Sequence, residues 1–164
     1  MPFALLYELC PTVAEQETRC ITVMPNSPFG IPYGDYHFAE MFCNEEGCDC
    51  RRVFFMVLSP VDKTVLAIIA WGWEGPEFYK RWMGDDDPVM IREMQGPNLN
   101  LGSAQSEYAE ALLKLAQQFL LNDPAYVDRV KRHYALFRSI VDAPRKQGPK
   151  KEVPKTRRKR WRRK

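Results

Sequence analysis

Between Tyr36 and Val57 two runs of aromatic and β-branched residues, 36–43 and 52–59, are joined by the short polar segment Asn44-Glu45-Glu46-Gly47-Cys48-Asp49-Cys50-Arg51. Three of the chain's five cysteines, Cys43, Cys48 and Cys50, fall within eight residues at that junction. The flanking runs read as strands and the connection as a turn, with Gly47 free to take the backbone angles that bring Cys43 back towards Cys48 and Cys50. In a flat strand Cys48 and Cys50 would sit about 7 Å apart on one face, too far to share one ion, so the spacing requires a bend between them. Asp49 is the expected bend residue, being tolerant of turn conformations.

Three thiols at C-x4-C-x-C spacing suit a soft tetrahedral cation, and zinc in particular, which takes thiolates at about 2.3 Å. Arg51 and Arg52 follow at once, and their charge is expected to favour the thiolate form. Two other readings stay open. Cysteine is among the most buried residue types, and the three could pack as inert small hydrophobes, although Asn44, Glu45, Glu46 and Asp49 point to a water-facing segment. Cys48 and Cys50 could also form a strained, easily reduced pair in a redox sensor or a small thiol enzyme. The motif lacks a fourth ligand. His37 lies six residues before Cys43, about 20 Å along an extended strand, which argues it down. Cys10 is a further thiol, and Cys20 and His133 are the remaining candidates, with His133 on the edge of an apolar helical stripe where a satisfied core histidine is the commoner outcome.

With 164 residues, of which 45% are hydrophobic, the chain can bury one sizeable core. Residues 1–9 have no basic region and carry Glu8, so they do not read as a signal peptide, and no apolar run is long enough for a membrane span. An odd cysteine count without a secretion signal predicts a cytoplasmic protein without a disulfide framework. Residues 19–24 read as a strand and the Pro- and Gly-rich stretch after them as a loop. Runs 36–43, 52–59 and 64–73, joined by short connections, predict an antiparallel meander.

Trp71, Trp73, Phe78, Tyr79 and Trp82 are expected to be core at a sheet-to-helix junction, and Asp85, Asp86 and Asp87 a solvated loop. Residues 105–121 carry Tyr108, Ala111, Leu112, Leu115, Ala116, Phe119 and Leu120 at helical spacing. Asp123-Pro124 opens a second helix, 124–141, with Tyr126, Val127, Val130, Tyr134, Phe137 and Val141 inward and Lys131, Arg132 and Arg138 outward. The fold class is therefore α+β, an antiparallel β-meander packed against a C-terminal antiparallel helix pair, with residues 1–144 as one domain.

Phe42-Cys43-x4-Cys48-Asp49-Cys50-Arg51-Arg52-Val53 after a strand, together with Tyr126-Val127-x-Arg129-x-Lys131-Arg132-His133-Tyr134-x-x-Phe137, resembles a family of uncharacterised bacterial proteins. The resemblance covers roughly residues 12–141. It implies a shared fold and a bacterial origin, and it brings no activity or catalytic residue with it.

Residues 145–164 differ in character. They hold twelve Lys or Arg and one acid, Glu152, a net +11, which leaves −8 on residues 1–144 of a chain that is +3 overall. Pro149, Pro154 and Gly148 with few apolar residues predict a disordered basic tail. Lys155, Arg157, Arg158, Lys159, Arg160, Trp161, Arg162, Arg163 and Lys164 combine phosphate-binding charge with one stacking aromatic, and predict a partner among RNA, DNA or a ribonucleoprotein, RNA before DNA. Anionic lipid is the other surface such a tail could meet. No Gly-rich phosphate loop, His-Glu-x-x-His, G-x-S-x-G or zinc-deaminase signature is present. Two functions remain: a non-enzymatic zinc-stabilised module with a nucleic-acid-binding tail, or a thiol enzyme or redox sensor on Cys48 and Cys50.

Overall fold

The computed structural model describes residues 2–144, and the tail from 145 onward, with every residue named above for nucleic-acid contact, lies outside them. In chain order the elements are β1 (Phe3–Leu5), α1 (Leu6–Leu9), α2 (Pro11–Glu17), β2 (Arg19–Val23), β3 (Gly34–Cys43), β4 (Arg52–Leu58), β5 (Val65–Gly72), α3 (Pro76–Met83), α4 (Pro88–Gln95), β6 (Asn98–Leu99), α5 (Ala109–Leu115) and α6 (Pro124–Val141). A π-helical stretch, Ala116–Leu121, continues α5.

All strand pairs are antiparallel, in the order β1-β3-β4-β5-β6, with β2 beside β3 beyond the end of β1. The expected meander is β3-β4-β5. Its register places Phe38 opposite Val57 and Phe55 opposite Ile69, so one face carries Tyr36, Phe38, Phe42, Val53, Phe55, Val57, Ala67 and Ile69. These side chains form one core with Leu112, Leu115, Leu120, Tyr126, Val130 and Phe137 from α5, its π-helical extension and α6. Burying each large side chain contributes about 1.5–3 kcal/mol, which is what fastens the helix pair to the sheet. Phe42 meets Tyr134 and Phe137 at 5.9 and 5.6 Å between ring centroids, setting α6 across the Cys43 end of β3.

The structure corrects several expectations. Helix α5 starts at Ala109 rather than 105, because the Gln105 side-chain amide donates to the Ile68 carbonyl at 3.1 Å and accepts from the Ile68 N–H at 3.0 Å, holding that segment along β5. Phe119 is exposed while Leu120 is buried, because the π-helical stretch widens the turn and rotates the inward face. Arg138, expected to face outward, is buried. Asp87 is more than a loop residue: it accepts from Val89 N–H at 2.8 Å and caps α4. Likewise Asp123 accepts from Ala125 N–H at 3.0 Å with Pro124 behind it, as the sequence predicts for α6. Strand β1 and helices α1 and α2 were not anticipated; each is short, and β1 has too few residues to display an alternation. Among the described residues no helix is long and apolar enough to cross a membrane.

Candidate metal centre

Cys43 ends β3, Cys50 lies two residues before β4, and Cys48 sits between them. Their sulfurs all lie within 4.8 Å of one another, with Cys43 and Cys50 buried and Cys48 half-buried. A tetrahedral ion with bonds of about 2.3 Å needs sulfurs about 3.8 Å apart, so closing on an ion takes a shift of about 1 Å.

Two residues with positive φ make this convergence. Gly47, at φ +74°, closes a turn in which Cys48 N–H donates to the Glu45 carbonyl at 3.2 Å. The bend after Cys50 is made by Arg51, at φ +48°, whereas Asp49 does not take a left-handed conformation. A left-handed residue with a side chain costs about 1–2 kcal/mol, so the neighbourhood must hold Arg51 in place. It does so on both sides of the residue: Tyr79 Oη donates to the Arg51 carbonyl at 3.0 Å, and Arg51 N–H donates to Tyr134 Oη at 3.4 Å. Tyr79 in turn reaches the loop by lying against Gly72, where a Cβ would stand 2.1 Å from its hydroxyl.

Helix α6 holds the other half of the turn. Arg138 Nη1 donates to the carbonyls of Cys43 and Glu45, both at 2.9 Å, and Asp142 Oδ1 accepts from Gly47 N–H at 2.9 Å while pairing with Arg138. The loop carbonyls that no strand can satisfy are thus met by a buried guanidinium, which explains why Arg138 turns inward.

The expected activation of the thiols by Arg51 does not occur in this geometry. Its guanidinium forks onto Asp49 at 3.0 Å, reaches Glu74 at 3.1 Å and lies 4.7 Å over the Phe78 ring. Arg52 is buried with Nη2 on the Glu93 carbonyl at 3.2 Å and its guanidinium over Phe54. Burial raises the Cys48 thiol, and burial with the neighbouring Cys48 and Cys43 sulfurs pushes Cys50 up to about 12. Without an ion these are protonated thiols at neutral pH, poor nucleophiles but ligands that a bound cation would deprotonate.

Neither candidate for a fourth ligand joins them. Cys20 is exposed on β2 and pairs in register with His37, far along β3 from Cys43. His133 is buried in a network of its own: Nδ1 lies 2.7 Å from Glu40 Oε2 and Nε2 lies 3.2 Å from Glu17 Oε2. Tyr126 Oη donates to Glu40 Oε1 at 3.2 Å, and Arg132 and Arg129 close the outer side on Glu17. Burial alone would lower His133, but the carboxylates on both ring nitrogens outweigh it and raise it, which favours the protonated ring. Cys10 is buried between α1 and α2.

The residues that sequence reasoning missed are Arg138, Asp142, Tyr79 and Tyr134, whose role is to hold the turn; an arginine on the inward arc of α6, in line with Tyr134 at i−4, was the signal available. Comparison with family profiles, curated proteins and solved structures finds no match to the chain.

Proposed function

We propose that the chain is a non-enzymatic binding module in which Cys43, Cys48 and Cys50 hold one zinc ion and the basic tail engages nucleic acid, RNA before DNA. The observation that carries the metal half is the convergence of three sulfurs within 4.8 Å on a turn whose backbone is fastened by Arg138, Asp142, Tyr79 and Tyr134. Thiolate donors select soft cations such as zinc over magnesium or calcium. The same geometry weighs against a thiol enzyme or redox sensor on Cys48 and Cys50, since burial raises both thiols and the Arg51 guanidinium is taken up by Asp49 and Glu74. The tail half stands on charge: twelve Lys or Arg in twenty residues against an acidic domain of the same chain. Phosphate contacts from Lys155, Arg157, Arg158, Lys159, Arg160, Arg162, Arg163 and Lys164 release counterions, with Trp161 free to stack on a base.

Native mass spectrometry of the intact chain tests the first half: one zinc per chain, lost in Cys48→Ser, is the expected result, and a metal-free chain carrying a reactive low-pKa thiol would reverse the reading in favour of the redox alternative. Removing residues 145–164 tests the second, since retention on single-stranded RNA at low salt should disappear with the tail, and binding that survives truncation would move the interface onto the domain.

A further inference from the structure

The chain's other cysteines and its histidines lie elsewhere in the fold. The chain contains five cysteines and two histidines, and none of them lies in residues 145–164. Three cysteines form the cluster. Cys10 is buried at the α1–α2 junction, Cys20 is exposed on β2 opposite His37, and His133 has both ring nitrogens on carboxylates. Carboxylates near the turn are also committed: Asp49 is forked by Arg51, Glu74 takes another Arg51 nitrogen, and Asp142 is paired with Arg138 and capped by Gly47 N–H. Glu45 and Glu46 are exposed on the turn and fall outside the cluster of converging ligand atoms.

We propose that the ion held by Cys43, Cys48 and Cys50 keeps its fourth position open, on the half-exposed Cys48 side, for a thiolate supplied from outside the chain. This rests on the three cysteines binding an ion at all. Zinc sites closed by four protein groups are structural, while sites with three protein ligands leave a position for an incoming one. Geometry leaves only the Cys48 side accessible, because Cys43 and Cys50 are covered by the core and by α6. Three thiolates already give the centre a net charge of −1, which makes it a poor generator of hydroxide and leaves ligand softness as the selecting property. A small free thiol and the exposed Cys20 of a second copy share that chemistry.

Cobalt(II) substitution in the intact chain, reduced with a phosphine so that no added thiol is present, reads the position directly. Binding of cobalt through the cluster gives a sulfur-to-cobalt charge-transfer band. The expected result is that adding 2-mercaptoethanol intensifies this band and shifts the visible ligand-field bands, while the cobalt stays with the protein on gel filtration. A spectrum that is already four-coordinate and indifferent to added thiol, at every protein concentration and in Cys20→Ser alike, overturns the open position, as does extraction of the cobalt by the thiol. Absence of any charge-transfer band sinks the metal reading itself, so the two failures are distinct. The variant Glu45→Gln with Glu46→Gln should respond to thiol as the parent does; a ligand-field change in this variant before thiol is added would show that a turn carboxylate fills the site. The source is separated by dilution: a ligand from Cys20 of a second copy makes the spectrum depend on protein concentration and fails in Cys20→Ser, whereas a free thiol acts equally on both.

Discussion

Two polar clusters hang on α6, and they are finished in opposite ways. At Glu17, Glu40, Tyr126 and His133 the chain supplies its own partners: both His133 nitrogens, both Glu40 oxygens and the Tyr126 hydroxyl are paired, and Arg132 closes the exposed side. At Cys43, Cys48 and Cys50 the backbone is tied down with equal care, yet among the described residues the cluster of converging ligand atoms consists of the three sulfurs alone. Histidine between two carboxylates, which looks more like a site by residue type, is the closed structural cluster that pins α2 and α6 to β3. The three thiols are the cluster close enough together to hold a metal ion. Polar groups used for stability close on themselves, because an unpaired buried charge is too costly to keep.

The sharpest way to break this contrast is Glu40→Ala. It leaves Nδ1 of the buried His133 and the buried Tyr126 hydroxyl without partners, and about 3–5 kcal/mol of stability should be lost in urea unfolding, as for other buried pairs broken on one side. Replacing Glu40 and His133 together by Met and Leu should recover most of that loss. A cost below about 1 kcal/mol for Glu40→Ala would mean that the network is not a closed structural unit.

Next in size is the response to metal. With free zinc at about 100 times the dissociation constant, mass action adds about 2.7 kcal/mol, so the thermal midpoint should rise with zinc, fall back with a chelator and be insensitive to both in Cys48→Ser. Glu40→Ala molecules that remain folded should still take up zinc, since the two clusters share no side chain. Arg138→Met bridges the comparison. It removes the guanidinium donor from the carbonyls of Cys43 and Glu45 and should cost about 1–3 kcal/mol without metal, with weaker zinc binding on top. Equal zinc affinity in that variant would show that α6 does not shape the turn.

The smallest effect is on pH dependence. Glu17 is held down at about 2, chiefly by the hydrogen-bonded Arg132 guanidinium, so its pairing stabilises the fold above 4.5 and is lost as pH falls towards 2. His133 runs the other way: raised above 6.5, it contributes fully below that value and loses its contribution as pH climbs through the raised one. Glu17→Gln should therefore flatten the acid limb of a stability-against-pH curve by about 1 kcal/mol or less, the pair being partly exposed. An unchanged acid limb would remove Glu17 from the network.

Local patterns determined much of this protein from the sequence alone. Aromatic and β-branched runs at 36–43, 52–59 and 64–73 suit strands, and Asp123-Pro124 suits a helix start, so the meander, helix α6 and the clustering of three thiols were legible in the sequence. Charge counting likewise separated residues 145–164 from the rest. What only the tertiary structure decided are the partners that meet across long stretches of chain. Arg138 turns inward to donate to two loop carbonyls more than ninety residues earlier in sequence, those of Cys43 and Glu45. His133 leaves the metal question because Glu40 and Glu17, brought in by β3 and α2, take both its nitrogens. Arg51 enters the left-handed region beside Cys50 because Tyr79 and Tyr134, from two different helices, hold that residue's backbone there. Periodicity describes what one segment needs; which distant segment supplies it is settled only when the core is assembled.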